Sequence, residues 1–429
     1  MREGARTAAA IEILADIDAR KRPAADAVKD WMLAHRFAGS KDRGAIGDLV
    51  FGALRWKASS AWRMGEDTPR AWALGAQRWG FGVEPARLAQ AWADDPHAPP
   101  PLSETEARAM ADDALARAPA WVRGDYPEWC EASFMRAFGE GRAAEGAALA
   151  APAPLDLRAN TLRTTREKLI AALAESPRLD GPPAPTPFAP DGVRIPWTQG
   201  RSFPWASEQS FLKGWFEVQD EGSQLAALMA GAQPGMQIAD VCAGGGGKTL
   251  AIAAMTMNKG QIYAFDVDGR RLAPLKERLE RAHARNVQIR APARTQNALA
   301  DLKGRMDIVF VDAPCSGSGT WRRNPDSKWR LRPAALEMRR GEQQEALALA
   351  APLVKPGGRI LYVTCSVLPE ENEDALAAFC AKHSVFSPAP LAASDALRAH
   401  AHARGEALQL SPLRTGADGF FIAALARAA

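Results

Sequence analysis

The stretch "MQIADVCAGGGGKTLAIAAM", Met236–Met255, passes from an apolar run through four consecutive glycines into a second apolar pattern. The run up to Cys242 reads as a buried strand. Gly244 to Gly247 then allow a tight turn and close approach of a ligand, just before a helix whose first N–H groups are unpaired. The loop is not that of a nucleoside triphosphatase: the pattern G-x-x-x-x-G-K-[ST] needs glycine at position 242, where Cys242 stands. The dinucleotide fingerprint G-x-G-x-x-G fits no better, because its last glycine falls on Thr249 or Leu250.

Further strands follow this one: "QIYAFDV", "NVQIRA", "MDIVFVDA" and "GRILYVTC", with helical text such as "RRLAPLKERLERAHA" between them. Strands separated by helical crossovers predict an α/β fold with a doubly wound parallel sheet. Ligands of such sheets lie beyond the carboxyl ends of the strands. Upstream, from Ala8 to Glu145, the pattern is helical. In "AIGDLVFGALRW", Ile46, Leu49, Val50, Ala53 and Leu54 mark one buried face, and Ser103 with Glu106 forms a capping box. Between Pro154 and Trp215 a short strand, "LDLRANTL", precedes a helix, "TTREKLIAALAE", with Thr164 as its expected cap, and then a proline-rich loop. The chain is thus expected to divide into a helical domain over 1–145, a small α/β segment over 146–215 and the α/β domain over 216–429.

A length of 429 residues fits two or three domains, and a net charge of +4 favours an anionic partner. Glu12, Asp16 and Asp18 interrupt the apolar pattern of the N-terminus, and the longest uncharged stretch, Gly222–Ala239, contains Pro234 and Gly235. Neither reads as a secretory signal or a membrane span, so a cytoplasmic location is expected. The five cysteines are scattered without zinc spacing; free thiols and no metal site are expected. Arg20, Lys21, Arg22, Lys41, Arg43, Arg55 and Lys57 are interleaved with Trp31, Trp56 and Trp62. That mixture reads either as solvated helix faces over core tryptophans or as a nucleic-acid-binding face.

The strand ends carry the chemistry. Asp266 ends the second strand; beside a glycine loop its carboxylate reads as an acceptor for ribose hydroxyls rather than only a helix cap, which predicts a nucleoside-containing cofactor. The fourth strand delivers Asp312, Pro314 and Cys315, and the fifth delivers Thr364, Cys365 and Ser366. The two thiols are 50 positions apart, yet neighbouring parallel strands would bring them to one sheet edge. A thiolate suits attack on an electron-poor ring carbon. Added at carbon 6 of a pyrimidine, it makes carbon 5 electron-rich and able to take a methyl group from a sulfonium donor. In "SGSGTWRRNPDSKWR", the small residues are expected to close around a base, and Arg322, Arg323, Lys328, Arg330 and Arg332 to hold flanking phosphates. Trp321 and Trp329 read equally as stacking platforms or core residues.

The motifs "DAPCSGSGTWRRNPDSKWR", "YVTCSVLPEEN", "FEVQDEGSQLAALM" and "CAGGGGKT" resemble the signatures of the Sun/Fmu (RsmB-like) family of RNA cytosine-5 methyltransferases, and "LQLSPLRTGADGFFIAAL" resembles its closing hairpin. The resemblance is dense from Phe216 onward. It implies a Rossmann-like methyltransferase domain preceded by a NusB-like helical domain and a small α/β RNA-binding segment. It implies S-adenosylmethionine as cofactor, contacted by Cys242, Ala243, Gly244, Gly245, Gly246, Gly247, Lys248, Asp266 and Asp312, with Cys365 as nucleophile and Cys315 assisting release of the methylated base. The implied partner is RNA, ribosomal RNA first, with no obligate protein partner. Two positions depart from the family pattern. Gly245 replaces a proline, which is expected to loosen the loop, and no acidic residue follows the third strand, leaving Asn297 as the nearest candidate for an adenine-edge contact. The alternatives are a same-fold methyltransferase acting on tRNA or DNA, and a catalytically idle RNA-binding ribosome-assembly factor. Intact Cys315, Cys365, Asp266 and Asp312 speak against the last.

Overall fold

The computed structural model describes residues 1–292 and 298–429. Two units emerge: Met1–Ala151 with Trp321–Pro333, and Pro152–Thr320 with Ala334–Ala429. The first is helical. Its helix Ser40–Arg55 buries Ile46, Leu49, Val50, Ala53 and Leu54, the face that the spacing predicts. The helix Glu104–Ala111 starts with the expected reciprocal cap: the Glu106 N–H donates to Ser103 Oγ at 3.1 Å, and the Ser103 N–H donates to the Glu106 carboxylate at 2.8 Å.

The second unit contains two sheets. The smaller has four antiparallel strands, β1 (Leu155–Ala159), β2 (Ala184–Pro185), β3 (Gly192–Ile195) and β4 (Phe216–Val218), in the order β2-β3-β1-β4. The helix after β1, Arg166–Ala174, is capped by Thr165 rather than Thr164. The Thr165 hydroxyl accepts the Lys168 N–H at 3.3 Å, whereas the Thr164 hydroxyl donates to the Thr165 carbonyl.

The larger sheet has nine strands: β5 (Gln237–Asp240), β6 (Gln261–Phe265), β7 (Val287–Arg290), β8 (Met306–Asp312), β9 (Val354–Thr364), β10 (Phe386–Ala389), β11 (His402–Arg404), β12 (Ala407–Gln409) and β13 (Phe421–Arg427). Its order is β11-β12-β13-β9-β8-β5-β6-β7, with β10 also on β13. The five strands from β9 to β7 are parallel, as expected of a doubly wound sheet, and β13 extends it antiparallel to β9. Alternation explains the burial. Ile308, Phe310, Leu361 and Val363 enter one core with Leu250 and Ile252, while Val309, Val311, Ile360 and Tyr362 enter the other with Leu347 and Phe379. Both faces are therefore covered, and the central strands β8 and β9 carry apolar side chains to both. From β5 the chain winds outward to β7, then returns to β8 on the other side, so the strand order reverses between β5 and β8. That reversal opens the crevice in which ligands of such sheets bind.

Candidate active site

The loop after β5 is built from main chain. Gly246 has φ +83°, and a Cβ there would lie 2.1 Å from Leu275 Cδ1, so only glycine fits. The Ala243 N–H donates to the Phe265 carbonyl at 2.9 Å, and the Gly244 N–H donates to Asp266 Oδ2 at 3.0 Å. Asp266 is 1 % exposed; its other oxygen accepts the Asp268 N–H at 3.0 Å, and Arg271 approaches Oδ2 at 3.2 Å. The carboxylate thus ties the loop and caps the following turn at once. Arg271 is an exposed side chain, free to yield its place to another donor. A side-chain-free loop facing a buried carboxylate fits a nucleoside-containing cofactor. Gly245 does not leave the loop loose as expected: its carbonyl accepts a hydrogen bond from Arg278, which Glu217 holds at 2.8 Å. Asn297 lies outside the described residues.

Lys248, on the first turn of the helix Gly247–Met255, donates to Asp312 Oδ2 at 2.7 Å and lies 5.2 Å from the ring of Phe420. Burial opposes its charge, but Asp312 outweighs burial and pushes the ammonium up. Asp240, which the sequence reading passed over inside an apolar strand, accepts the Thr249 hydroxyl at 2.7 Å. Burial pushes its carboxyl up to about 7. Burial, with the carboxylates of Asp240, Asp312 and Asp266 nearby, pushes the Cys242 thiol well up. Cys242 is held as a neutral thiol.

Adjacent β8 and β9 carry Cys315 and Cys365 to one edge, with Sγ atoms 3.2 Å apart. The hydrogen bond to Cys365 and burial push the Cys315 thiol well up, which favours its protonated form. Around them, the Ala313 N–H donates to the Val363 carbonyl at 2.8 Å and the Gly319 N–H to the Cys365 carbonyl at 2.9 Å. A Cβ on Gly319 would lie 1.8 Å from the Gly419 carbonyl oxygen. The small residue at Gly319, expected to close around a base, admits the backbone of the loop at Gly419. A second residue the sequence reading left unassigned is Glu371. Its carboxylate is fully buried between the two cysteine loops.

The expectation that Arg322 and Lys328 hold phosphates is corrected by their burial in the helical unit. Lys328, 1 % exposed, donates through Nζ to the carbonyl oxygens of Arg55 at 2.8 Å and Asp125 at 2.6 Å. Burial pushes its ammonium down. Arg322 offers its carbonyl to the buried Arg55 guanidinium at 2.8 Å, so Arg55 is no surface charge either. Arg323 is exposed. Trp321 is a core residue, stacked on Phe134 at 5.9 Å. Trp329 is partly buried, and its indole donates to the Leu54 carbonyl at 2.6 Å.

Known proteins resemble this chain. The family described as 16S rRNA methyltransferase RsmB/F matches residues 227–426. The "Probable ribosomal RNA small subunit methyltransferase B" of Synechocystis sp. is 34 % identical over 304 residues, 71 % of this chain and 67 % of that protein. Ribosomal RNA small subunit methyltransferase B of Pseudomonas putida is 32 % identical over 310 residues, 72 % of this chain and 68 % of its own length. Among solved structures, that of PH0851 covers 99 % of both chains with a TM-score of 0.71 at 24 % identity, a likeness of fold. A methyltransferase homolog protein from Pyrococcus horikoshii is 26 % identical with a TM-score of 0.58, covering 74 % of this chain and 99 % of that one. A glycine loop tied to a buried carboxylate, two thiols at adjacent strand ends and relatives matched over two thirds of their length lead to one conclusion: the chain belongs to the RsmB/F family of 16S rRNA methyltransferases.

Proposed function

We propose that the chain transfers a methyl group from S-adenosylmethionine to carbon 5 of a cytosine in small-subunit ribosomal RNA, through a covalent adduct with Cys365. The observation that carries this reading is the pair of thiols 3.2 Å apart beside the glycine loop. The backbone of Gly244 to Gly247, Asp266 and Asp312 would hold the cofactor, with Cys242, Ala243 and Lys248 completing its surroundings. When bound, S-adenosylmethionine supplies an electrophilic methyl group on a sulfonium centre. Cys365 Sγ bonds to carbon 6 of the base, which loads electron density onto carbon 5 for the methyl group. The Lys248–Asp312 pair, a proton-bearing group and a carboxylate 2.7 Å apart, would stand beside that reaction. In release, the Asp312 carboxylate would take the carbon 5 proton, the carbon 5–carbon 6 double bond re-forms, and the bond from carbon 6 to Cys365 breaks, its electrons returning to sulfur. Cys315 keeps its proton, so its S–H can stabilise the departing thiolate. The assignment of Cys365 as nucleophile and Cys315 as the residue of release is the one that the family resemblance implies.

Arg323, Arg330 and Arg332, exposed in this motif, are the remaining phosphate-binding candidates. Ribosomal RNA as substrate also implies a cytoplasmic place of action. Incubating purified protein with unmodified 16S rRNA and S-adenosylmethionine, then sequencing after bisulfite treatment, tests the reading. A single protected cytosine is expected; methylation at another ring position or on another base would overturn it.

A further inference from the structure

We infer that Glu371 is the positioning residue that locks the two cysteine loops together and so sets the spacing of the thiols. The inference rests on the reading of Cys315 and Cys365 as the working pair. Glu371 touches neither sulfur; it holds the residue that follows each one. Its Oε1 accepts the Ser316 N–H at 2.7 Å and the Gln343 amide at 3.0 Å. Its Oε2 accepts the Ser316 hydroxyl and the Ser366 hydroxyl, both at 2.5 Å. Gln343 also donates to the Pro314 carbonyl at 3.0 Å, so the Cys315 loop is gripped on both sides of the cysteine. The loops are then stitched directly: Ser318 Oγ lies 2.9 Å from Ser366 Oγ, and the Val367 N–H donates to Ser318 Oγ at 2.9 Å. The Glu371 main chain is pinned in turn, its carbonyl accepting the Tyr362 hydroxyl at 2.7 Å.

A carboxylate suits this role because it accepts four hydrogen bonds and donates none, and all four donors here belong to the two loops or to Gln343. A buried glutamate serving only stability would have no reason to collect its donors from the residues next to both thiols. The side chain is fully enclosed, so removing it leaves these donors without a replacement from water.

Full-length Glu371→Gln and Glu371→Ala variants test this with a readout that does not depend on methylation. Diamide oxidation of Cys315 with Cys365, followed by mass spectrometry of the linked peptides, reports how well the thiols are held together. Wild type and Glu371→Gln, whose amide still accepts from Ser316, are expected to oxidise at similar rates, and Glu371→Ala at least tenfold more slowly. In methylation, Glu371→Ala is expected to lower kcat at least tenfold with KM for S-adenosylmethionine within twofold, and Glu371→Gln to recover most of the loss. Unchanged oxidation in Glu371→Ala overturns the inference whatever the activity. Slower oxidation with undiminished methylation keeps the positioning role and instead sinks the covalent-cysteine reading. Should Glu371→Ala fail to fold, the Ser316→Ala/Ser366→Ala double variant removes two donors, keeps the carboxylate and is read by the same oxidation assay.

Discussion

Asp240 is a carboxyl held in the interior against the Thr249 hydroxyl, and its value of about 7 stands above the ordinary 3.8. A group whose folded value is raised binds more protons in the folded than in the unfolded state between those two values. Its contribution to stability is present at low pH and is lost as pH rises through about 7. Asp240→Asn keeps the shape and an acceptor for Thr249 but does not titrate. Relative to that variant, wild type is expected to lose roughly 1.4 kcal/mol per pH unit across this window, read from denaturant midpoints. Parallel pH curves for the two proteins would show that Asp240 does not carry the proton. At this scale the sequence exposed what its strand ends and spacing could mark: Asp266, Asp312, Cys315 and Cys365. It hid Asp240 and Glu371, because an acid within an apolar strand and one within "LPEEN" look like any others until the donors that surround them are known.

The segment Trp321–Pro333 shows why elements were less legible than strands. Alternation and glycine loops are local properties, so β5 to β9 could be read from the chain. Whether a run of arginines and lysines faces water is not local. Lys328 meets carbonyl oxygens of Arg55 and Asp125, both about two hundred positions or more away in sequence. Removing Lys328 leaves those acceptors and the buried Asp125 carboxylate without their cation. Lys328→Ala should therefore destabilise the protein by roughly 3–5 kcal/mol, the range for breaking a buried charge arrangement. Arg323→Ala, in contrast, should reduce the log–log salt slope of RNA binding by about one unit. A Lys328→Ala protein of unchanged stability with a flattened salt slope would return Lys328 to the RNA face.

At the scale of the whole molecule, one unit is helical and the other carries the catalytic sheet, with the chain of Trp321–Pro333 counted to the first between two parts of the second. The sequence reads as a helical part, a small α/β segment over 146–215 and a wound sheet from 216, whereas the structure groups the small antiparallel sheet with the wound sheet in one unit. It did not foresee the return of a late segment to the helical unit, since nothing in a basic, tryptophan-containing stretch records which core it fills. The central claim concerns the division of labour between two thiols, and denaturing gel electrophoresis after incubation with 16S rRNA and S-adenosylmethionine tests it most directly. Cys315→Ala is expected to methylate once and stay attached, giving a slowly migrating, heat-stable protein–RNA band, and Cys365→Ala to give neither adduct nor methylation. A band with Cys365→Ala alone would exchange the two roles, and full turnover by both variants would contradict the covalent mechanism itself.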